Sequence, residues 1–354
     1  MFNRHKTRSV RVGDILIGGG APVSVQSMTN SDTRDPRSTI AQIRRLEEAG
    51  CEIIRLAVPD TQAAESLREI RSAVAAPLVA DIHFDYRLAL TAIEAGIDKL
   101  RINPGNIGDR DRVVQVVSAA KARRIPIRIG VNGGSLDRAL YARYGGPTAE
   151  ALVESALEHI AILESLDFCD TVVSMKSSSV AVTVEAYRML AQRTDYPLHI
   201  GVTEAGTPWR GTIKSCAGLG ALLLNGLGDT LRISLTGDPV EEVRVGLELL
   251  EALDLRRKGI RFVSCPTCGR CQVDLERIVT RLEEALAGVE KPLTLAVMGC
   301  AVNGPGEARE ADLGIAAGKG EALLFRKGQV LRKVPEDRII ETVVELVEHW
   351  SDEE

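Results

Sequence analysis

Over the first 250 residues or so, short β-branched runs alternate with longer stretches in which apolar residues recur every three or four positions. The pattern predicts eight strands, at Val23–Ser27, Ile53–Ala57, Leu78–Ile82, Leu100–Asn103, Ile127–Gly130, Thr171–Ser174, Leu198–Val202 and Leu231–Ser234. Helical periodicity separates them, for example over Ser38–Ala49, Tyr86–Ala95, Asp109–Arg123 and Glu150–Ser165, with glycine stops at Ala49-Gly50 and Ala95-Gly96. Eight βα units in this length predict an α/β fold whose N-terminal part is a TIM (β/α)8 barrel. An open doubly wound sheet competes, but no Gly-x-Gly-x-x-Gly follows the first strand. Val10–Ile17 reads as a hairpin closing the barrel floor.

After an eighth helix at about Pro239–Leu253, charged Asp254–Gly259 reads as a linker. Helical patterns at Asp274–Ala287 and Pro335–Trp350 then mix with strands at Leu293–Val297, Leu313–Ala317 and Ala322–Phe325. The expected division is a barrel domain over residues 1–255 and a small α+β domain over 256–354.

Composition narrows the function classes. Of 354 residues, 45% are apolar and 26% charged, an ordinary globular balance. A net charge of −5, with only five Phe, five Tyr and two Trp, argues against nucleic acid as a partner. No run approaches a membrane span. The basic N-terminus leads into no apolar stretch and does not read as a secretory signal. Seven cysteines then read as thiols or metal ligands, and a cytoplasmic location is expected.

Against this acidic background the strand ends are cationic. Arg55, Arg101, Arg128, Lys176 and Arg232 fall at the C-terminal ends of five strands, where barrel enzymes build their sites. Any one of them alone would read as a surface ion pair. Five converging on one rim repel each other, and Asp81 and Glu204 are too few to neutralise them. The pattern therefore predicts a ligand with several negative charges, a phosphorylated and most simply a diphosphorylated small molecule. Gln26, Met28, Asn30, Asn103, Asn132, Thr203 and Ser234 accompany them. Glu204 reads either as a counter-ion for the arginines or as a general acid, and His83 as a proton donor or phosphate ligand.

The second domain holds Cys265-Pro266-Thr267-Cys268 with Cys271 close behind, and Cys300 on a distant segment. Such a run with Pro and Gly neighbours favours an iron–sulfur centre; structural zinc usually takes two well-spaced pairs, and both metals stay open on these residues alone. The radical-SAM spacing Cys-x-x-x-Cys-x-x-Cys is absent.

Four motifs together carry a resemblance: Cys265-Pro-Thr-Cys-Gly-Arg270, Met298-Gly-Cys-Ala-Val-Asn-Gly-Pro-Gly-Glu307, Gly201-Val-Thr-Glu-Ala-Gly206 and Val25-Gln-Ser-Met-Thr29. The chain resembles the bacterial HMB-PP synthase (4-hydroxy-3-methylbut-2-en-1-yl diphosphate synthase) family over essentially its whole length, in the compact form without the plant-type insertion. The resemblance implies an oxidoreductase of the methylerythritol phosphate route to isoprenoids. It implies two-electron reductive ring opening of 2-C-methyl-D-erythritol 2,4-cyclodiphosphate, with loss of a hydroxyl as water. It further implies one 4Fe–4S cluster per chain on Cys265, Cys268, Cys300 and Glu307, and a flavodoxin or ferredoxin donor. By resemblance Glu204 donates a proton, while Arg55, Arg101, Arg128, Lys176, Arg232 and Ser234 hold the diphosphate. Asp81, His83, Asn103, Asn132, Thr203 and Asn303 match polar active-site positions, of which His83 and Asn303 join Glu204 as catalytic candidates. By spacing alone Cys271 could replace Glu307 as ligand; the complete motif around Glu307 favours the glutamate. The alternative activity is a non-redox iron–sulfur hydro-lyase of a phosphorylated polyol.

Connectivity bears on assembly. The eighth helix returns the chain to the barrel floor, and about eight linker residues from Asp254 to Arg261 span at most about 28 Å. That reach does not bring the second domain easily over its own barrel mouth. A head-to-tail homodimer with composite sites is therefore expected, as the family resemblance also implies.

Overall fold

The computed structural model describes residues 3–300, 306 and 309–350. The chain divides into two compact units, Met1–Arg256 and Arg257–Glu354.

The first unit opens with strands β1 (Ser9–Val12) and β2 (Ile15–Gly18), paired antiparallel. The barrel strands are β3 (Ser24–Met28), β4 (Ile53–Ala57), β5 (Leu78–Asp81), β6 (Lys99–Ile102), β7 (Ile127–Asn132), β8 (Thr171–Lys176), β9 (His199–Ile200) and β10 (Thr230–Leu231). Between and after them lie α1 (Pro36–Glu48), α2 (Thr61–Ala73), α3 (Tyr86–Ala95), α4 (Arg110–Arg123), α5 (Arg138–Tyr144), α6 (Ala149–Glu164), α7 (Val180–Ala191), α8 (Pro208–Leu224) and α9 (Pro239–Ala252). The ladder is parallel, in the order β8-β7-β6-β5-β4-β3-β10-β9, and closes through a bridge between Val173 and Leu198. This is the (β/α)8 barrel that the periodicity predicts. The helix starts are locally encoded: Asp35, Asp60, Asp109 and Asp238 each accept a backbone N–H of the first turn.

The seam between β8 and β9 is the thinnest part of the wall. Buried Tyr187 of α7 staples it, its hydroxyl donating to the His199 carbonyl at 2.5 Å and accepting the Met175 N–H at 3.0 Å. Burial pushes this phenol up to about 12, which keeps it a donor.

Alternation sorts each strand into two faces. Ile54, Leu56, Leu78, Ala80, Leu100 and Ile102 pack outward in one continuous core with the helices. Ile53, Val79 and Val172 point inward at the strand starts and pack with Val10, Val12 and Ile17. The hairpin thus plugs the floor with apolar side chains. Above that layer the interior turns polar.

The second unit is a five-stranded sheet in the order β11 (Ile260–Ser264), β12 (Leu293–Met298), β13 (Leu313–Ala317), β14 (Glu321–Arg326), β15 (Gln329–Pro335). The first three strands are parallel and the last two antiparallel. Helices α10 (Leu275–Leu286) and α11 (Ile339–Glu348) cover one face, burying Leu282 and Val343 against Leu295, Ile315 and Leu324. A smaller cluster of Ala296, Met298, Ala316 and Phe325 occupies the other face, with Cys265 at its border.

Three details differ from expectation. A strand not expected from the pattern, β11, follows the linker directly and recruits Arg261 into the sheet by pairing with β12. β15 has no helpful alternation: it is an edge strand, exposed but for Val334, with a register shift at Leu324/Phe325 opposite it. The last helix starts after Pro335, which ends β15 instead. Among the described residues no helix is long and apolar enough to cross a membrane.

Candidate active site

The inward positions of β4 to β8 place charges at successive levels of one interior. Arg55 lies 3.6 Å from Asp81, whose other oxygen accepts from Arg101 at 3.0 Å. His83, at the exposed rim, has Nε2 3.1 Å from Arg101 Nη1 and 3.6 Å from Asp81. Burial alone would push the Asp81 carboxyl up; Arg55, His83 and Arg101 together hold it far below the usual carboxylate range. Arg55 aims its Nε and Nη2 at the Met28 thioether, at 3.1 and 2.9 Å. A thioether is a poor acceptor, so these donors remain available to an anion.

Arg101 is fixed on its other side by the Gly130 carbonyl at 2.8 Å. Asn103 clamps the same peptide, accepting the Gly130 N–H at 2.8 Å and donating to its carbonyl at 3.1 Å. Both ends of the Asn103 amide are thereby engaged with backbone. With its amide oxygen turned to the guanidinium, Asn132 accepts from Arg101 Nη2 at 3.1 Å. Gly130 must be glycine, because a Cβ there would collide with Arg101 Nε. Gly201 plays the same part for Lys176: a Cβ would stand 2.6 Å from Nζ.

Arg128 and Lys176 are the least compensated charges. Arg128 is fully buried, and its Nε and Nη1 have no hydrogen-bond partner. Burial, then Arg55 and Arg101, press its pKa well down. A guanidinium does not give up its proton under ordinary conditions, so this charge is held at a cost. Lys176 is pressed well below a normal lysine by burial, Arg232, Arg55 and Arg128.

Arg232 is different. Glu242 of α9, itself buried, holds it through Nε and Nη2 at 3.1 to 3.2 Å, and also takes the Ser27 hydroxyl and the Leu235 N–H. The two acids counted from sequence were Asp81 and Glu204; the structure replaces Glu204 by Glu242. Glu204 is exposed just past β9, and among the described residues its carboxylate makes no ion pair. Its φ of 51° is left-handed, an unusual conformation for a non-glycine residue and one that collects at functional sites. Thr203 and Ser234 are half-buried at neighbouring strand ends. Asn30 lies outside the group, exposed and bonded to Gln42 and Gly237.

Sequence reasoning missed Lys99, Glu242 and Tyr187, and ranked His199 low. Lys99 and His199 are both fully buried on inward strand positions. Stepping back two residues from Arg101 would have found Lys99. No local signal marks Glu242, whose partner is ten positions away on another element.

In the second unit, β11 and β12 run side by side, so Cys265 and the Met298-Gly299-Cys300 turn leave adjacent strand ends. Cys265 Sγ accepts the Gly299 N–H at 3.3 Å, which ties the two strand ends together. Gly299 is required: a Cβ there would strike Cys271 Sγ. Cys271 donates to the Val273 carbonyl at 3.3 Å, and its N–H bonds the Cys268 carbonyl at 2.9 Å. Cys300 is buried and Cys268 exposed. Asn303 and Glu307 lie outside the described residues. Among the described residues no three His, Cys, Asp or Glu side chains close on a single ion. An iron–sulfur cube spreads its ligands wider than one ion does, and soft thiols gathered at one sheet end fit it.

The comparisons agree with this layout. The family model described as the GcpE TIM-barrel domain matches residues 7–247, and that described as the GcpE protein C-terminal domain matches residues 261–349. The chain is 59% identical to a Clostridium perfringens protein, over 98% of this chain and 99% of that one. It is 61% identical to a Geobacter sulfurreducens protein, over 97% of each. Both relatives are called 4-hydroxy-3-methylbut-2-en-1-yl diphosphate synthase (flavodoxin). Among solved structures, a Stenotrophomonas maltophilia dihydropteroate synthase aligns with TM-score 0.50 at 12% identity, covering 70% of this chain and 98% of that one; it shows the barrel fold alone.

Proposed function

The chain belongs to the GcpE family, matched over both of that family's domains, and from that premise we propose how its residues perform the synthase activity. The reaction is reductive opening of 2-C-methyl-D-erythritol 2,4-cyclodiphosphate to 4-hydroxy-3-methylbut-2-enyl diphosphate. Two electrons and two protons enter, the ring C–O bond to phosphate breaks, and one hydroxyl departs as water. The observation that carries the assignment is the set of undercompensated cations inside the barrel: Arg128 leaves Nε and Nη1 unpartnered, Arg55 spends its donors on a thioether, and Lys176 is buried among other cations, where a diphosphate would take them. Arg101, Asn132 and Arg232 are already oriented by protein partners, so they frame the anion without having to reorganise. Asn103 acts through Gly130, as a positioning residue.

Glu204 donates the proton at the departing oxygen, with His83 at the same rim and Asn303 as further candidates. Exposed just past β9, the Glu204 carboxyl is open to a substrate held in the barrel mouth. Cys265, Cys268, Cys300 and Glu307 would hold one 4Fe–4S cluster per chain, with Cys271 packed as a structural thiol. Bound there, the cluster supplies single electrons and an iron with an exchangeable position beside the carboxylate ligand. The relatives' names point to a flavodoxin as donor, and they disfavour a non-redox hydro-lyase. The reducing cytoplasm suits both thiolate ligands and such a donor.

Two observations support a cluster domain delivered by a second copy. The barrel unit ends at its floor, where Arg256 bonds Glu52 at 2.9 Å just before β4. Only residues 253–259 then separate α9 from β11, a reach of roughly 25 Å fully extended. At the opposite end, Phe84 just beyond β5 and Trp209 in the first turn of α8 stand 75% and 78% exposed, a rim suited to a docking partner. The test is subunit mixing under anaerobic conditions. Glu204→Gln alone should bind substrate but lose roughly 10²–10⁴ in kcat. Cys300→Ser alone should be inactive, and the exchanged mixture should recover activity through one intact composite site. Retained kcat in Glu204→Gln overturns its acid role; no recovery after verified exchange overturns the composite site.

A further inference from the structure

Among the described residues, Lys99 is the one lysine that is completely buried without a hydrogen-bond partner for its Nζ. It stands on β6 two positions before Arg101, level with Val79 of the apolar floor layer. Packing alone does not explain an amine here, because Met would fill the same volume without a polar atom to desolvate. The surroundings are polar but not acidic. His199 has both ring nitrogens unpartnered, and Gln26 both ends of its amide.

Each element facing Lys99 contributes a known group. β3 gives uncharged Gln26, β4 gives Arg55, β5 gives Asp81, and β6 itself adds Arg101. β7 gives Arg128, β8 gives Lys176, β9 gives His199, and the strand end after β10 gives Arg232. The hairpin below presents Val10, Val12 and Ile17. The two carboxylates nearby are committed, Asp81 to Arg101 and Glu242 to Arg232. Burial, then Arg128 and Arg55, hold Lys99 well below a normal lysine, and His199 is depressed in the same way. Both therefore resist taking a proton while no anion stands above them.

A diphosphate seated on Arg55, Arg128 and Lys176 would reverse the sign of the field that opposes a proton on Lys99. We propose that Lys99 is a further substrate-recognition residue, an amine that takes a proton from solvent as the diphosphate binds above it and returns the proton when that anion leaves. The inference rests on the substrate reading above. Its physical advantage is differential: the additional positive charge exists only while the anion is present, so the empty barrel escapes its repulsion. Substrate affinity then falls as pH rises, because binding is linked to proton uptake.

The test is calorimetric titration of substrate into oxidised holoenzyme, with no reductant, in buffers of different ionisation enthalpy. Wild type should take up about one proton more per bound substrate than Lys99→Met. Equal proton counts overturn the proposal. A second readout uses enzyme labelled at the lysine ε-carbon, the Lys99 resonance being identified by its loss in Lys99→Met or Lys99→Gln. It should report a neutral amine in the free enzyme and an ammonium with substrate; the same state in both overturns the proposal. Inorganic pyrophosphate serves as a second probe. If pyrophosphate charges Lys99 while the cyclic substrate does not bind, the substrate reading falls and the role of Lys99 stands.

Discussion

The two units bury opposite kinds of matter. Inside the barrel, above a floor of Val79, Val172 and Ile17, five strand positions sink cations into the interior against two committed carboxylates. The small sheet buries Leu295, Ile315 and Leu324 on one face and Met298 and Phe325 on the other, and leaves its thiols at the strand ends. The barrel therefore carries its binding function at the expense of its own stability, whereas the small unit carries its chemistry beside an intact apolar core. Stability and function should separate in the second and oppose each other in the first.

The strongest way to sharpen the contrast is at the thiols. Cys265→Ser should remove the cluster and essentially all activity, read as iron and sulfide content per chain and as turnover with a chemical reductant. Cys271→Ser should keep the cluster, since that thiol already serves the Val273 carbonyl. The thermal transition of the barrel should be the same in both. Cluster loss in Cys271→Ser with retention in Glu307→Ala would reverse the ligand assignment.

Arg128→Met tests the opposition inside the barrel. It removes a charge that is fully buried with two of its three nitrogens unpartnered, and replacing a buried charge by an apolar side chain of similar length is often stabilising. Substrate affinity should fall by more than about tenfold, the loss of one charge-assisted bond. The melting temperature should rise by about 2–4 °C, the shift that 1 kcal/mol produces in a domain of this size. A melting temperature that falls would show that Arg128 is structurally compensated.

The smallest expected effect is a pH dependence confined to the barrel. His159 on α6 accepts the Gly105 N–H through Nδ1 at 3.3 Å, a role only the neutral ring can play. Burial lowers its pKa from 6.5 to about 4. Between those values the unfolded chain binds the proton and the folded chain does not. Stability from this group is therefore complete above about 6.5 and lost as pH falls towards 4, on the order of 3 kcal/mol in all. Denaturant unfolding of wild type and His159→Gln over that range checks it: the slope should flatten in the variant.

How much of this was readable beforehand follows from range. Strand and helix order was legible because alternation, Asp caps and glycine stops act over four residues or fewer. The rim cations were legible because a strand's parity and end are local properties. β15 was not, because an edge strand has little buried face to leave a pattern. Glu242 was not, because its pairing with Arg232 exists only once α9 packs beside β3 and β10.

By itself the sequence determined a barrel followed by a thiol-bearing α+β unit, a cationic strand-end rim and the motif set of the family. Each of those is written in spacing along the chain. Only the tertiary structure decided which acids compensate which cations, that Glu204 makes no ion pair among the described residues, that Asn103 is spent on Gly130, and that Tyr187 closes the β8–β9 seam. It also decided that Lys99 lies sealed beneath the site. The reason is barrel closure: inward side chains from eight distant segments meet in one desolvated volume. There their charges and hydrogen bonds depend on one another, not on their neighbours in sequence.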